Sequence, residues 1–332
     1  MLSFLVVGGG LLAVGAAALF AAAAKALRGL YTYKYQVPGI VVRLSGSALV
    51  SVVKYVVRGR KPRFPEWTFA SELEQGVLRS ISVHCIAHMV KPENAAYLRD
   101  TMEASVKQSS DTAAHETGVS IQYFSLNGLE HIWLRAKTVE KKPRVVYLLN
   151  EEKLLPSQVM VMGDSAGGGL TMATLLRARD EDPSLLPAAA ILSCPMVDRS
   201  YKGDDRDTPY CTLTANSIGA FWNAYHSGEG EPKTWGDASP VHCDLRDLPP
   251  VYIQAAEFDY LLPHSTTLYD KAKKAGLTTW MLEIERRVPH AFTSAPRSNW
   301  PTAAQSLDKM SVFAATQFAR AASVQRTSER KH

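Results

Sequence analysis

The sequence predicts an α/β fold: a mostly parallel sheet with helices on both faces. Two observations carry this. Short apolar runs recur from residue 144 onward, "RVVYLL" (144–149), "QVMVM" (158–162), "AAAILSC" (188–194), "PPVYIQAA" (249–256) and "TTWMLEIE" (278–285), with helix-length segments between them. Continuous apolar strands alternating with helices suit a sheet buried on both sides. The second observation is "GDSAGG" (163–168), a strand-to-helix junction built around a serine. With 332 residues, 46% apolar and 21% charged, the composition is that of a globular protein with a sizeable core.

Residues 1–24 contain no charged side chain and are almost wholly Leu, Val, Ala, Gly and Phe. As a helix such a run rises about 36 Å, enough to cross a hydrocarbon layer of about 30 Å with some tilt. An uncleaved membrane anchor is expected. A cleaved signal peptide is the alternative, since the run ends in "AAAA". Nine cations (Lys25, Arg28, Lys34, Arg43, Lys54, Arg58, Arg60, Lys61, Arg63) then precede the first carboxylate, Glu66. With a net charge of +5, the rest of the chain is mildly acidic. A basic cluster beside an apolar run fits anionic lipid headgroups, and no nucleic-acid partner is expected. Positive-inside bias places the following chain on the cytosolic side.

Within Ile40–Arg58, the polar residues Arg43, Ser47, Ser51, Lys54 and Arg58 form one narrow helical stripe on an apolar segment. Two arrangements are open: a helix in the membrane interface with this stripe at headgroup level, or a helix packed on the protein itself. "KPRFPEW" punctuates the exit from this region, and residues 67–114 are mostly helix-like. "VSIQYFSL" and "EHIWLRAK" flank Asn127–Gly128, a hairpin signal expected at one edge of the sheet.

Cys85, Cys194, Cys211 and Cys243 show no paired spacing and read as buried thiols. His84 and His88 stand four apart in "HCIAH", but no third ligand is near, so no metal and no cofactor are expected.

Gly163 and Gly167 flank Ser165 in the Gly-x-Ser-x-Gly pattern, where a Cβ on either side of a tight turn is expected to clash. The turn presents the Ser165 hydroxyl at the sheet edge beside a helix N-terminus. A nucleophilic serine needs a base and an acid that orients it. Asp259 closely follows the run 249–256 and His290 the run 278–285, so both fall at the same strand ends as Ser165. Glu257 and Asp164 are rival acids, and His242 and His264 rival bases.

The motifs "GDSAGGG", "ASPVHCDLRDLPPVYIQAAEFDYL", "LYDKAKKAG" and "VPHAF", taken in order over roughly 140–320, resemble the hormone-sensitive-lipase-like branch of the α/β-hydrolases, which includes arylacetamide deacetylase. The resemblance implies a serine carboxylesterase acting on apolar acyl esters, with Ser165 as nucleophile, His290 as general base and acid, and Asp259 as its orienter. Ala166 N–H would be one arm of the oxyanion hole. The chain is expected to divide into an anchor (1–24), a basic membrane-proximal segment (25–64), a helical cap-like region (65–114, with 201–225 contributing) and an α/β-hydrolase domain (115–325), with the endoplasmic reticulum membrane as the expected location. Pro263 stands where the family has a second aspartate, and Ala291 where glycine often follows the histidine.

One family feature has no counterpart. "VVY" should lead into "HGGG", a helix, a strand and another helix before the nucleophile strand. Here Asn150 to Ser157 alone separate "VVYLL" from "QVMVM". Eight extended residues reach at most about 28 Å, too little for a full covering helix. The sheet is therefore expected to lack one inner strand and the oxyanion loop, through splicing, gene prediction or true loss. Asn150 is a weak substitute donor. Either the hairpin closes up against 144–149, the favoured outcome, or that edge lies open to solvent and partners; apolar side chains are expected to be exposed over 145–161. The alternative to an active esterase is a catalytically impaired variant serving as a binding or non-functional form.

Overall fold

The structure is a computed structural model that describes residues 37–84, 119–126, 129–136, 155–226, 229–294 and 300–329, with single positions between 86 and 115. The chain divides into two compact units, Met89–Pro143 and the remainder.

In the larger unit, helix α1 (Val37–Val57) and helix α2 (Phe69–His84) come first. Thr68 caps α2 reciprocally with Ser71: each side-chain oxygen accepts the other residue's amide, at 2.8 and 3.0 Å. The smaller unit holds an antiparallel hairpin, β1 (Val119–Leu126) and β2 (Leu129–Ala136), in the register Leu126↔Leu129. That register leaves the two-residue loop expected at Asn127–Gly128, which itself lies outside the described residues.

A four-stranded, wholly parallel sheet follows in the order β3-β4-β5-β6. Its strands are β3 (Met160–Asp164), β4 (Ala189–Ser193), β5 (Val251–Ala256) and β6 (Met281–Glu285). Helix α3 (Ala166–Glu181) follows β3, α4 (Ala215–Tyr225) lies between β4 and β5, α5 (Leu262–Lys274) joins β5 to β6, and α6 (Pro301–Glu329) closes the chain. Strand β5 starts at Val251 rather than Pro249 because neither Pro249 nor Pro250 can donate to a ladder; Pro250 still accepts from Ala190 N at 2.9 Å.

Two buried clusters explain the continuous apolar runs. Ala190 and Leu192 of β4 and Val251 and Ile253 of β5 pack with Met172, Leu175 and Leu176 of α3 and Leu268 and Ala272 of α5. The alternate residues Ala189, Ile191 and Tyr252 pack with Met310 and Phe313 of α6 on the other face. The side-chain period of two sends the residues of β4 and β5 to both layers, which is why these two runs are almost wholly apolar.

Among the described residues β3 pairs only with β4, and Met162 is half exposed. The run 144–149, expected beside β3, lies outside the described residues, as do the apolar run 1–24, most of 85–118, and Asn150. Among the described residues no helix is long and apolar enough to cross a membrane.

Helix α1 turns part of its polar stripe toward the protein. Its stripe does not face outward as a unit: Ser47 Oγ donates to Gly76 O of α2 at 2.9 Å, and Arg58 pairs with buried Glu72. The apolar residues Val42, Leu49, Val53, Val56 and Val57 face outward instead. The physical reason is close helix approach. A Cβ on Gly76 would lie 2.6 Å from Ser51 Oγ, so serines facing a glycine let the two backbones meet.

Candidate active site

Ser165 occupies the junction of β3 and α3 with φ 56° and ψ −117°, a strained conformation for a residue with a side chain. Its main chain is held from several directions. Its N–H donates to Ser193 O at 2.8 Å, and its carbonyl accepts from Gly168 N at 3.0 Å and from Met196 N at 2.9 Å. These bonds leave the first two amides of α3, Ala166 and Gly167, without an intrahelical acceptor at the end where the helix carries positive charge.

The glycines divide this work differently from the sequence expectation. A Cβ on Gly163 would stand 2.1 Å from Gly167 O, which no real structure tolerates. A Cβ on Gly167 would meet nothing within 4 Å. The other close approaches are at Gly168, 2.7 Å from Pro195 Cβ, and Gly169, 2.5 Å from Met196 O, where α3 passes over the end of β4.

Ser165, His290 and Asp259 come together in one chain of contacts. Ser165 Oγ lies 2.8 Å from His290 Nε2, and His290 Nδ1 lies 2.8 Å from Asp259 Oδ2. A carboxylate can only accept, so Nδ1 carries the proton and Nε2 is left as acceptor for the serine hydroxyl. Asp259 and His290 are both buried. Asp259 Oδ1 accepts from Leu261 N at 2.9 Å, which fixes the carboxylate plane. Burial pulls the His290 pKa down, but the charge and hydrogen bond of Asp259, with the charge of Asp164, outweigh it and leave the pKa raised above 6.5. Ala291 sits at φ 56°, the left-handed region that glycine occupies more readily.

The rivals have other duties. Glu257 Oε2 accepts from Arg287 N at 2.7 Å and shapes the loop that carries His290. Asp164 Oδ2 accepts from Ser294 Oγ at 3.2 Å. His264 Nδ1 accepts from Val197 N and Asp198 N, each at 3.1 Å, and burial lowers its pKa to about 4. It is a core histidine. His242 Nε2 lies 3.2 Å from Ser200 Oγ, away from Ser165. His84 Nδ1 lies 3.1 Å from an Arg43 guanidinium nitrogen, while Cys85 and His88 lie outside the described residues.

Cys211, expected as a buried thiol, is buried and also reaches the site. Its Sγ accepts from Tyr260 N at 3.1 Å and Leu213 N at 3.3 Å and lies 3.7 Å from Asp259 Oδ1. Burial, then the Asp259 charge, pushes the thiol pKa up to about 12. Nothing in cysteine spacing signals this. Cys194, Asp259 and His290 also bring donor atoms within 4.8 Å of one another. That trio fits a metal poorly, because both histidine nitrogens are engaged and burial raises the Cys194 pKa well above its ordinary value.

A cavity of about 230 Å³ opens beside His290, lined by Gln75 and Leu78 of α2, Thr212, Phe292 and Trp300. Arg79 ties α2 to the segment that carries Thr212, donating to the carbonyls of Thr208, Cys211 and Leu213 at 3.1, 2.8 and 3.3 Å.

A sequence model of the alpha/beta hydrolase fold family matches residues 114–294, more than half of the chain. The chain belongs to the alpha/beta hydrolase fold family. Among similar proteins, this chain is 33% identical over 141 residues to an acetyl-hydrolase of Streptomyces hygroscopicus, covering 42% of this chain and 46% of that one. It is 29% identical over 127 residues to an esterase of Acinetobacter venetianus, covering 37% and 41%. The chain thus spans less than half the length of the curated relatives it matches. The crystal structure of an esterase from the bacterial hormone-sensitive lipase family superposes with a TM-score of 0.54 at 17% identity, over 82% of this chain and 98% of that one. That likeness is one of fold.

Proposed function

We propose that this alpha/beta hydrolase is a serine carboxylesterase for esters with apolar acyl groups, of the hormone-sensitive-lipase-like and arylacetamide deacetylase type. The observation that carries the reading is the unbroken chain from Ser165 Oγ through His290 to Asp259, both links at 2.8 Å. As Oγ attacks the acyl carbon, its proton passes to Nε2, and Asp259 stabilises the imidazolium. The Ala166 N–H, at the positive end of a 16-residue helix, receives the developing oxyanion. His290 then protonates the leaving alcohol, and water repeats the sequence to release the acid. Leu78, Phe292 and Trp300 beside His290 favour an apolar acyl or alcohol group. In this reading residues 1–24 anchor the enzyme in a membrane, that of the endoplasmic reticulum, with the catalytic unit cytosolic.

A second reading is an impaired variant that binds esters but turns them over poorly. Its support is the eight-residue connection 150–157, which has no glycine and no "HGGG". Loss of one oxyanion donor costs about 100- to 1,000-fold in turnover. A fluorophosphonate probe separates serine reactivity from turnover. Stoichiometric labelling, absent in Ser165→Ala, is expected on the first reading; labelling that persists in Ser165→Ala would sink the site assignment. Labelling with negligible hydrolysis of p-nitrophenyl butyrate would select the second.

A further inference from the structure

We propose that helix α1 lies in the surface layer of a lipid bilayer, with the face bearing Leu49, Val53, Val56 and Val57 in the acyl region. The helix has three sides. Leu44 and Ala48 are buried, and Ser47 and Ser51 face α2. The opposite side carries Val42, Leu49, Val53 and Val57, which are 70%, 62%, 51% and 80% exposed. Four branched aliphatics on one face over about four turns, broken only at Gly46, form an apolar strip unusual for a surface that meets water.

The chain around α1 argues for lipid as the occupant. Upstream stand 24 residues without a charge, and between Lys25 and Arg63 there are nine cations and no acid. Arg43 and Lys54 are exposed at the border of the apolar face, where they would sit at the level of anionic headgroups. A second copy docked through the same face would set these cations against their own counterparts, since a two-fold interface is self-complementary. A soluble partner would need a matching acidic rim around an aliphatic stripe. No charge-free span is needed either: α1 carries Arg43 and Lys54 within 21 residues, so it suits lying on a bilayer and not crossing it.

The placement has a consequence that rests on the esterase reading. Helix α2 packs on α1 and lines the His290 cavity through Gln75 and Leu78. With α1 seated in lipid, an ester dissolved in the bilayer reaches the cavity along α2 without crossing bulk water.

The test uses the full chain with vesicles of phosphatidylcholine and phosphatidylserine that include a phosphatidylcholine bearing a diazirine in its acyl chain. After photolysis, peptide mapping should find lipid adducts within 42–57, and Leu49→Glu plus Val53→Glu should cut them roughly tenfold or more. Hydrolysis of a water-soluble ester without vesicles should be unchanged in the variant, which separates failure of this proposal from failure of the esterase assignment. Adducts in 1–24 with none in 42–57 overturn the proposal even if the variant fails to fold. So does vesicle-free burial of the face, read as a dimer in the natural chain that the double variant converts to monomer.

Discussion

The α-carbon of Gly163 presses so close to the carbonyl of Gly167 that a methyl group on it would sit 2.1 Å from that oxygen. The turn that carries Ser165 is therefore built on the absence of one side chain. Gly163→Ala is expected to cost about 1–3 kcal/mol, in the range of core overpacking, and to abolish fluorophosphonate labelling by displacing Ser165. Gly167→Ala, with nothing within 4 Å of the new Cβ, should keep its labelling and thermal midpoint. Equal damage from both would show that the turn is not shaped by this contact.

Much of this was legible because the constraints are local. Strand runs, the Gly-x-Ser-x-Gly junction and the positions of Asp259 and His290 just beyond strand ends all follow from residue spacing along the chain. The duties of Cys211 and Arg79 were not legible, because they depend on segments far apart in sequence meeting at particular distances. Helix α1 shows the same limit. Its periodicity revealed a polar stripe, but only Gly76, brought opposite by α2, decides which side of the helix turns inward.

Ser165→Ala should remove all esterase activity and His290→Ala nearly all of it. Asp259→Asn is the sharper case. An amide in place of the carboxylate can donate to Nδ1, leaving Nε2 protonated and unable to take the serine proton. Turnover should fall by about 10⁴-fold with little change in thermal midpoint. Near-normal turnover in Asp259→Asn would mean that another group, with Glu257 the first to examine, orients His290.

The pH dependence follows from the sign of the His290 shift. Catalysis needs neutral Nε2, so activity should fall on the acid side through a midpoint above 6.5. Asp164 contributes to raising that pKa. Asp164→Asn should therefore move the acid limb of kcat/KM to lower pH, while the amide oxygen can still accept from Ser294. An acid limb that moves upward, or stays in place, would remove Asp164 from the electrostatics of the site.

Arg79 offers a test of the covering layer. Its guanidinium serves three carbonyls between Thr208 and Leu213, and hydrogen bonds to a charged group are worth about 1.5–3 kcal/mol. Arg79→Met should lower stability by about 2 kcal/mol after allowing for partial exposure. It should also raise KM more than it lowers kcat, because Thr212 lines the cavity whereas the triad is anchored elsewhere. A pure loss of kcat would place Arg79's influence on Cys211 and Asp259 instead.

The last prediction concerns how much chemistry one oxyanion donor can support. Ala166 N–H lies at the start of α3, in the peptide unit whose carbonyl, Ser165 O, accepts from Gly168 N and Met196 N. On the second reading, the eight residues from 150 to 157 are too few for the family's usual insert, and no second amide is expected from them. Attack by Ser165 on a fluorophosphonate depends chiefly on His290 and should proceed. Turnover of p-nitrophenyl butyrate should lie about 100- to 1,000-fold below that of an esterase with a complete hole. A comparison with the Streptomyces hygroscopicus acetyl-hydrolase, measured side by side on the same ester, reads this directly. If the two turn over alike, a second donor must come from elsewhere in the chain, and Asn150→Ala is then the first variant to make. If labelling and turnover are both absent while the protein remains folded, Ala166 alone does not suffice, and the chain is a binding or non-functional form of the fold.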